Sequence, residues 1–151
     1  MKKLAVVLAC LCAPAFAHKV VGIADGDTLT VLEDGRPVKI RLANIDAPEK
    51  AQAFGQRSKQ SLSELCYGKD AAYKPVDVDR YGRPVAVVTC QGMNVNREQV
   101  ARGMAWVYAR YNKDPSFPDV EARAKAARVG LWSEEAPTPP WEYRRTAATR
   151  R

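Results

Sequence analysis

Two short acidic segments contain the residues of this chain whose types best suit metal chemistry. Asp25-Gly26-Asp27-Thr28 lies at a turn between two strand-like runs, and Asp46-Ala47-Pro48-Glu49 comes later, in a loop. Carboxylates and backbone carbonyls without His or Cys beside them form a hard-oxygen site of the kind that Ca²⁺ or Mg²⁺ prefers. Asp25-Gly26-Asp27 taken alone could also be an ordinary polar turn, so this interpretation requires the two segments to meet.

Two arginines would extend that chemistry to phosphate. Arg41 stands in an otherwise apolar run, where an unpaired charge is costly, so it must face a carboxylate or a ligand. Arg83 follows Tyr81-Gly82 at a predicted hairpin tip. Either arginine alone could be a surface or ion-pair residue, but a guanidinium also matches two phosphate oxygens. Beside a hard-cation cluster they predict phosphodiester chemistry, in which the charge that develops is neutralised while a carboxylate orients or deprotonates water.

The elements that must position these groups follow an α+β pattern. Turn signals and apolar alternation predict strands over 19–23, 28–32, 37–42, 71–78 and 84–90. Helices are predicted over 52–65, 96–104 and 120–128. This order favours an α+β domain with a five-stranded antiparallel OB-fold β-barrel and three α-helices.

One predicted hairpin decides whether the acidic segments meet. Asp34-Gly35 is a strong hairpin dipeptide, and it separates the strands predicted over 28–32 and 37–42. Pairing of these strands would bring Asp27 close to residues 41–46. We therefore expect the carboxylates and Arg41 to share one site.

The first 17 residues resemble a secretory signal peptide. Lys2 and Lys3 precede the apolar run 4–12, and Ala15-Phe16-Ala17 has the small-x-small form of a cleavage site. The run is too short to span a bilayer as a helix. Val7-Leu8-Ala9-Cys10 faintly resembles a lipid-attachment site, which is the alternative. We expect cleavage after Ala17, export to a periplasm or out of the cell, and no membrane association.

Size and charge limit what the exported chain can be. Cleavage would shorten it from 151 to 134 residues, and loss of Lys2 and Lys3 would lower the net charge from +7 to +5. That length predicts one domain with one core, and we expect a monomer. The basic excess suits a polyanionic partner, although it could also merely keep a small domain soluble.

Cysteine and histidine counts exclude several kinds of site. Only Cys66, Cys90 and His18 would remain after cleavage, too few ligands for a four-ligand zinc site. In an exported chain the two cysteines are expected to form a disulfide, with two separate buried thiols as the alternative. His18 would be the first residue, a poorly ordered position for a catalytic base. This excludes a Ser-His-Asp triad, a two-His nuclease and a His-metal hydrolase.

Five motifs, in order and at matching spacing, resemble the staphylococcal nuclease (thermonuclease) family across about Lys19 to Trp132. They are Ile23–Thr28, Ile40–Leu42, Ile45–Glu49, Asp79–Arg83 and Val129–Trp132. Each motif is weak alone, but the ordered set is highly specific. The resemblance implies a five-stranded OB barrel with three helices, and Ca²⁺-dependent cleavage of DNA and RNA with low sequence specificity.

The resemblance also implies a ligand set and catalytic roles. Asp27 and Asp46 would be side-chain ligands of one Ca²⁺ ion, and the backbone carbonyl of Ala47, where family members often have Thr, would be a third. Glu49 matches the proposed general base. Arg41 and Arg83 match the two arginines of the family that contact phosphate and stabilise the transition state.

Further substrate contacts are implied at two places. Arg80 and Tyr81 stand beside Arg83 at the hairpin tip. Tyr111 matches an aromatic residue of the nucleotide pocket, whereas Ala109 stands where the family's prototype has a second tyrosine. Base stacking is therefore expected to differ from that of the prototype.

The nuclease-like domain is predicted over residues 18–133, followed by a Pro/Arg-rich tail over 134–151. The prolines at 137, 139 and 140 predict an extended tail, either a solvated end or a nucleic-acid arm. Two alternative functions remain at this point: a catalytically silent OB-fold module that binds nucleic acid or protein, and a phosphodiesterase acting on small molecules. Presence of the whole catalytic set favours the nuclease.

Overall fold

The structure is a computed structural model that describes residues 17–149. Strands β1 to β8 span His18–Asp25, Thr28–Glu33, Arg36–Leu42, Ile45–Asp46, Asp70–Val78, Pro84–Cys90, Met93–Asn94 and Trp106–Val107. Helices α1 to α4 span Gly55–Cys66, Val95–Ala101, Phe117–Ala126 and Pro140–Thr149, and a 3-10 helix spans Gly130–Ser133. The predicted signal peptide lies outside the described residues except for Ala17.

Five strands close into a barrel in the order β3-β2-β1-β5-β6, with β6 pairing back to β3. The α+β class and the OB-like barrel are confirmed, but the barrel is mixed because β3 and β6 are parallel. A closed ring with an odd number of strands cannot alternate direction at every step, so one parallel pair is required. In that pair Arg41 lies opposite Val85, and Val85 is two residues after Arg83, so the parallel strands run close to both predicted arginines.

The hydrophobic core fills the barrel and includes residues of the first three helices. Alternation along each strand turns every second residue inward, as in Leu29 and Val31 of β2 and Ile40 and Leu42 of β3, which are at most 1% exposed. Leu62 of α1 closes one end of this core. The packed barrel therefore gives the turns at its rim a rigid base.

Helix boundaries differ from the predictions for local reasons. Helix α1 begins at Gly55 rather than at 52, because Phe54 adopts a left-handed conformation with φ of 63°. Helix α3 begins at Phe117, before the predicted 120, because Pro118 is tolerated in the first helical turn. Helix α2 ends at Ala101, two residues before Gly103 with φ of 64°.

The prediction of an extended tail is wrong for residues 140–149, which form α4. Proline at the first position of a helix loses no hydrogen bond, so Pro140 begins α4 rather than preventing it. Trp141 stacks on Tyr108 with ring centroids 5.5 Å apart and an angle of 1° between the planes, and it meets Trp106 edge-on at 5.8 Å. The structure therefore has four α-helices in its described part instead of three.

The expected disulfide is present between Cys66 and Cys90, with Cα atoms 5.5 Å apart. It joins the end of α1 to the end of β6, and both cysteines are buried. Among residues 17–149 no helix is long and apolar enough to cross a membrane.

Candidate active site

Asp27 lies in the turn between β1 and β2, where α1 approaches closely. A Cβ atom on Gly26 would collide with the side chain of Ser58, so glycine is required for this approach. The buried Gln99 donates from Nε2 to the Gly26 carbonyl at 2.7 Å. The turn is therefore fixed from two helices, and Asp27, 6% exposed, is held in a defined position.

The β2–β3 hairpin places Arg41 beside Asp27, as the sequence predicts. Thr28 pairs with Arg41, and the Leu42 amide donates to the Asp27 carbonyl at 2.8 Å. Nη1 of Arg41 lies 2.8 Å from Oδ2 of Asp27, and Nη2 lies 3.1 Å from Oδ1 of Asp46. One guanidinium thus bridges the two carboxylates, which meets the requirement that this charge have a partner.

Asp46 is positioned by the short strand β4, where it pairs with Trp106 of β8. Its exposed fraction is 1%. The next residue, Ala47, donates its amide to Oδ2 of Asp27 at 2.7 Å, so the two acidic segments are joined directly. The sequence did not predict β4, because a two-residue strand exists only through its distant partner.

Burial shapes the electrostatics of the cluster. The pKa of Asp27 is raised to about 7, mainly by burial and also by the nearby carboxylates Asp25 and Asp46, while the Arg41 guanidinium and the Ala47 amide oppose the rise. Two carboxylates held this close in a buried position favour additional positive charge.

The donor set at this position fits a hard divalent cation. Carboxylate oxygens of Asp27 and Asp46 lie beside the Ala47 backbone. The atoms that could ligate a metal here are therefore all oxygens, which are the ligands that Ca²⁺ and Mg²⁺ prefer. No group of three His, Cys, Asp or Glu residues within 17–149 could hold a metal. An ion here would need the Ala47 carbonyl, water and substrate phosphate to complete its shell.

Glu49 has a fixed backbone and a half-exposed side chain. Its amide donates to Oε1 of Gln52 at 3.0 Å, and its carbonyl accepts from the Gln52 amide at 2.9 Å. A Cβ atom on Gly55 would collide with the Glu49 carbonyl oxygen, so the start of α1 needs glycine to support this loop. The Glu49 carboxylate is 40% exposed and can meet water or a ligand.

Arg83 is held at the β5–β6 hairpin rather than on the Asp27–Asp46 carboxylates. Its Nε donates to Oδ2 of Asp79 at 2.6 Å, and its amide donates to Oδ1 at 3.0 Å. Partial burial would raise the pKa of Asp79, but these hydrogen bonds outweigh it and hold that pKa below its usual range. Arg83 directly precedes β6, and β6 pairs with the strand that carries Arg41, so the two backbones lie near each other.

The predicted substrate contacts present exposed aromatic rings. Tyr81 is 69% exposed, and the guanidinium of Arg80 lies 4.9 Å from its ring centroid. Tyr111 is 54% exposed and meets Tyr108 edge-on at 4.8 Å. The partner of Tyr111 is therefore Tyr108, which the sequence analysis did not single out, and Ala109 is exposed.

Arg144 of α4 is the site residue that sequence reasoning missed. Its Nη2 donates to Oδ2 of Asp46 at 2.8 Å, and its Nη1 donates to Oε1 of Glu49 at 2.7 Å. Hydrogen bonds to Asp46 and Glu49 raise the pKa of Arg144 above its ordinary value. The available signal was the spacing of Trp141 and Arg144, which share one helix face, but the prolines favoured an extended tail.

Comparison with known proteins identifies the family. The model described as "Staphylococcal nuclease homologue" matches residues 39–134. An "Uncharacterized endonuclease" of Haemophilus influenzae is 48% identical over 128 residues, 84% of this chain and 72% of that protein. Another "Uncharacterized endonuclease", of Escherichia coli O157:H7, is 44% identical over 127 residues, which is 83% of this chain and 83% of that protein. A "Micrococcal nuclease" of Shigella flexneri is 40% identical over 143 residues, 87% of this chain and 82% of that protein.

The family model covers most of β3, the strands from β4 to β8 and the first three helices, but it begins after β1, β2 and Asp27. The matched range contains Arg41, Asp46, Glu49 and Arg83, whereas α4 lies beyond it. The resemblance carried by the five sequence motifs is confirmed: the chain belongs to the staphylococcal nuclease family.

Proposed function

We propose that this protein is an exported, Ca²⁺-dependent nuclease that hydrolyses phosphodiester bonds in DNA and RNA with low sequence specificity. The observation that carries the proposal is the bridging of Asp27 and Asp46 by Arg41, at 2.8 and 3.1 Å, beside the exposed carboxylate of Glu49. Family membership and relatives named as nucleases support the reaction class.

The mechanism follows from the chemistry of these groups. A Ca²⁺ ion held by Asp27, Asp46 and the Ala47 carbonyl would supply positive charge to a phosphate oxygen. Glu49 accepts a proton from the attacking water, whose oxygen forms the new bond to phosphorus as the bond to the leaving oxygen breaks.

Arg41 of β3 and Arg83, which directly precedes β6, complete the proposed site. Each guanidinium can contact two oxygens of the phosphoryl group and stabilise the charge that develops on it. For Arg83 this requires the side chain to turn from Asp79 toward the substrate, and for Arg41 it requires release or sharing of its contacts with Asp27 and Asp46.

Substrate breadth follows from recognition of phosphate rather than bases. Arg80, Tyr81 and Tyr111 offer charge and exposed rings, which suit backbone contact and stacking that every base allows. Export is supported by the signal-like first 17 residues and by the disulfide, since disulfides persist in oxidising compartments.

Incubation of the purified protein with plasmid DNA and with RNA tests the function. We expect both to be degraded with Ca²⁺ and neither with chelator, and Mg²⁺ alone reports on metal choice. Cleavage that persists in chelator would contradict the metal requirement. Binding without cleavage would favour the silent OB module, and cleavage of a dinucleotide analogue but not of long DNA would favour a small-molecule phosphodiesterase.

Calorimetry tests the incomplete ligand shell. Because two carboxylates and one carbonyl leave most of the shell to water and phosphate, Ca²⁺ should bind weakly alone and more tightly with a 3′,5′-bisphosphate nucleotide. Equal affinities in the two titrations would exclude the shared-phosphate arrangement.

A further inference from the structure

We propose that α4 is an intramolecular latch: Arg144 occupies Asp46 and Glu49 in the metal-free protein, and α4 must leave the site before the divalent cation and the substrate bind. The inference rests on the proposed function for the identity of the cation and the substrate. It adds a regulatory element from a segment beyond the residues that match the family model.

The contacts of Arg144 fall on two groups that the proposed reaction needs. Nη1 lies 3.2 Å from Oδ1 of Asp46 and 2.7 Å from Oε1 of Glu49, while Nη2 lies 2.8 Å from Oδ2 of Asp46. Oδ1 of Asp46 also accepts from Arg41, so both oxygens of this carboxylate are already used. A cation that takes Asp46 as a ligand therefore competes with Arg144 and Arg41 for these oxygens, and Arg144 is the only one of the two that contacts Oδ2.

An aromatic contact one helical turn away holds the same face of α4 against the barrel. Trp141 stacks on Tyr108, which itself contacts the predicted substrate residue Tyr111. A flat ring stacked on the half-buried Tyr108 resembles the stacking of a nucleobase, and a guanidinium on carboxylates supplies the charge of a cation. The latch thus contacts both Tyr108 and the carboxylates of Asp46 and Glu49.

The segment before α4 positions the helix over the loop that carries Glu49. Nε2 of Gln52 donates to the Thr138 carbonyl at 2.6 Å, and the amide of Glu49 donates to the same Gln52 side chain. The loop and the tail are thus linked by one residue. A helix of ten residues is marginal in water by itself, so α4 should unfold when it leaves the site.

Calorimetric Ca²⁺ titration of Arg144→Ala against Arg145→Ala tests the latch. Both changes remove one positive charge from α4, but Arg145 is exposed and lies 3.9 Å from Glu142, away from the site. We expect Arg144→Ala to tighten Ca²⁺ binding about tenfold, the ratio expected if about a tenth of wild-type molecules are open. Arg145→Ala should bind as the wild type does. Equal or weaker binding by Arg144→Ala would overturn the latch.

Hydrogen exchange gives a second readout that needs no catalysis. Ca²⁺ with a 3′,5′-bisphosphate nucleotide should speed amide exchange of residues 140–149 in the wild-type protein by about tenfold or more, because an undocked α4 unfolds. Unchanged or slower exchange would show that α4 stays on the bound site and would overturn the proposal.

These measurements separate the latch from the nuclease proposal. If Arg144→Ala tightens Ca²⁺ binding while no variant cleaves DNA or RNA, the latch stands and the nuclease proposal fails. If the wild type cleaves but Arg144→Ala matches it in Ca²⁺ affinity, the latch fails alone. With both correct, Arg144→Ala should cleave faster than wild type at low Ca²⁺ and equally at saturation.

Discussion

Each of the two arginines is expected to contribute strongly to the rate of cleavage, and Arg83 can be tested without disturbing the buried carboxylates. Its side chain contacts Asp79 outside the buried carboxylate pair, so Arg83→Ala should fold normally. We expect a loss of about 10²- to 10³-fold in kcat, since removal of one charge-stabilising donor typically costs that much. Plasmid cleavage kinetics measure it, with the exposed Arg36→Ala as the matched control. Wild-type turnover in Arg83→Ala would remove Arg83 from the mechanism.

Arg41 has a second role that its substitution will reveal. Arg41→Ala would leave two buried carboxylates with one guanidinium fewer, which destabilises folded proteins by about 3–5 kcal/mol. Arg41→Lys keeps the charge but loses the two-point fork. Urea unfolding together with cleavage rates should show Arg41→Lys folded but slow. A fast Arg41→Lys enzyme would argue against the bidentate contact with phosphate.

Glu49 is the residue whose proposed role depends on basicity. Glu49→Gln keeps the shape of the side chain and loses its ability to accept a proton, so the acidic limb of the pH–rate profile should disappear as turnover falls. The measurement is kcat across pH at saturating Ca²⁺. An unchanged profile would show that another group or bulk water takes the proton.

At the scale of elements, the β5–β6 hairpin should respond to pH through Asp79. The pKa of Asp79 lies below its usual range, so its ionised form stabilises the folded state above the unfolded pKa of about 3.9, and this contribution is lost as pH falls through the folded pKa. Asp79→Asn should therefore lower the free energy of unfolding at pH 7 by less than about 1 kcal/mol, and by less still near pH 3. Urea titrations at both pH values measure it, and a difference that grows on acidification would contradict the assignment.

The disulfide between α1 and β6 should contribute more to the free energy of unfolding than any surface ion pair does. The disulfide closes a loop with a sequence separation of 24, for which chain entropy predicts about 3 kcal/mol. Reduction of the wild-type protein, which leaves both side chains in place, should lower the free energy of unfolding by that amount. A change below about 1 kcal/mol would mean that the reduced unfolded chain remains compact.

Predictability differed between elements for physical reasons. The strands of the barrel were predicted because alternation and turn residues are local signals, as the Asp34-Gly35 hairpin shows. Strands β4 and β8 were missed because Asp46 and Trp106 become strand residues only by pairing with each other. Helix α4 was missed because Pro140 was interpreted as a helix breaker, although it stands at the first helical position.

The contacts of the candidate site also differ in how far the sequence predicts them. The contact of Asp27 with Arg41 follows from one hairpin and was predictable. The approach of Arg144 to Asp46 depends on how a distant helix packs, and no local pattern encodes it. Arg83 is predicted from its place at a hairpin tip to project toward phosphate, but Asp79 of the same hairpin binds its guanidinium.

At the scale of the whole molecule, charge should govern how the protein meets its substrate. The chain carries a net charge of +7, and nucleic acid binding by basic residues releases counterions. The logarithm of KM for duplex DNA should rise linearly with the logarithm of salt concentration, with a slope of at least about 2 if two arginines contact phosphate. Steady-state kinetics at several salt concentrations measure it. A flat dependence would exclude phosphate contact as the source of affinity.

The parallel pairing of β3 with β6 also affects the order in which the site can form during folding. Asp27 and Arg41 come together through a local hairpin and can meet early, whereas β6 brings Arg83 alongside only when strands distant in sequence pair. Non-local pairing of this kind is slow. The pair of Asp27 and Arg41 should therefore form before Arg83 comes alongside, so nuclease activity should emerge only after β6 has paired with β3 and closed the barrel.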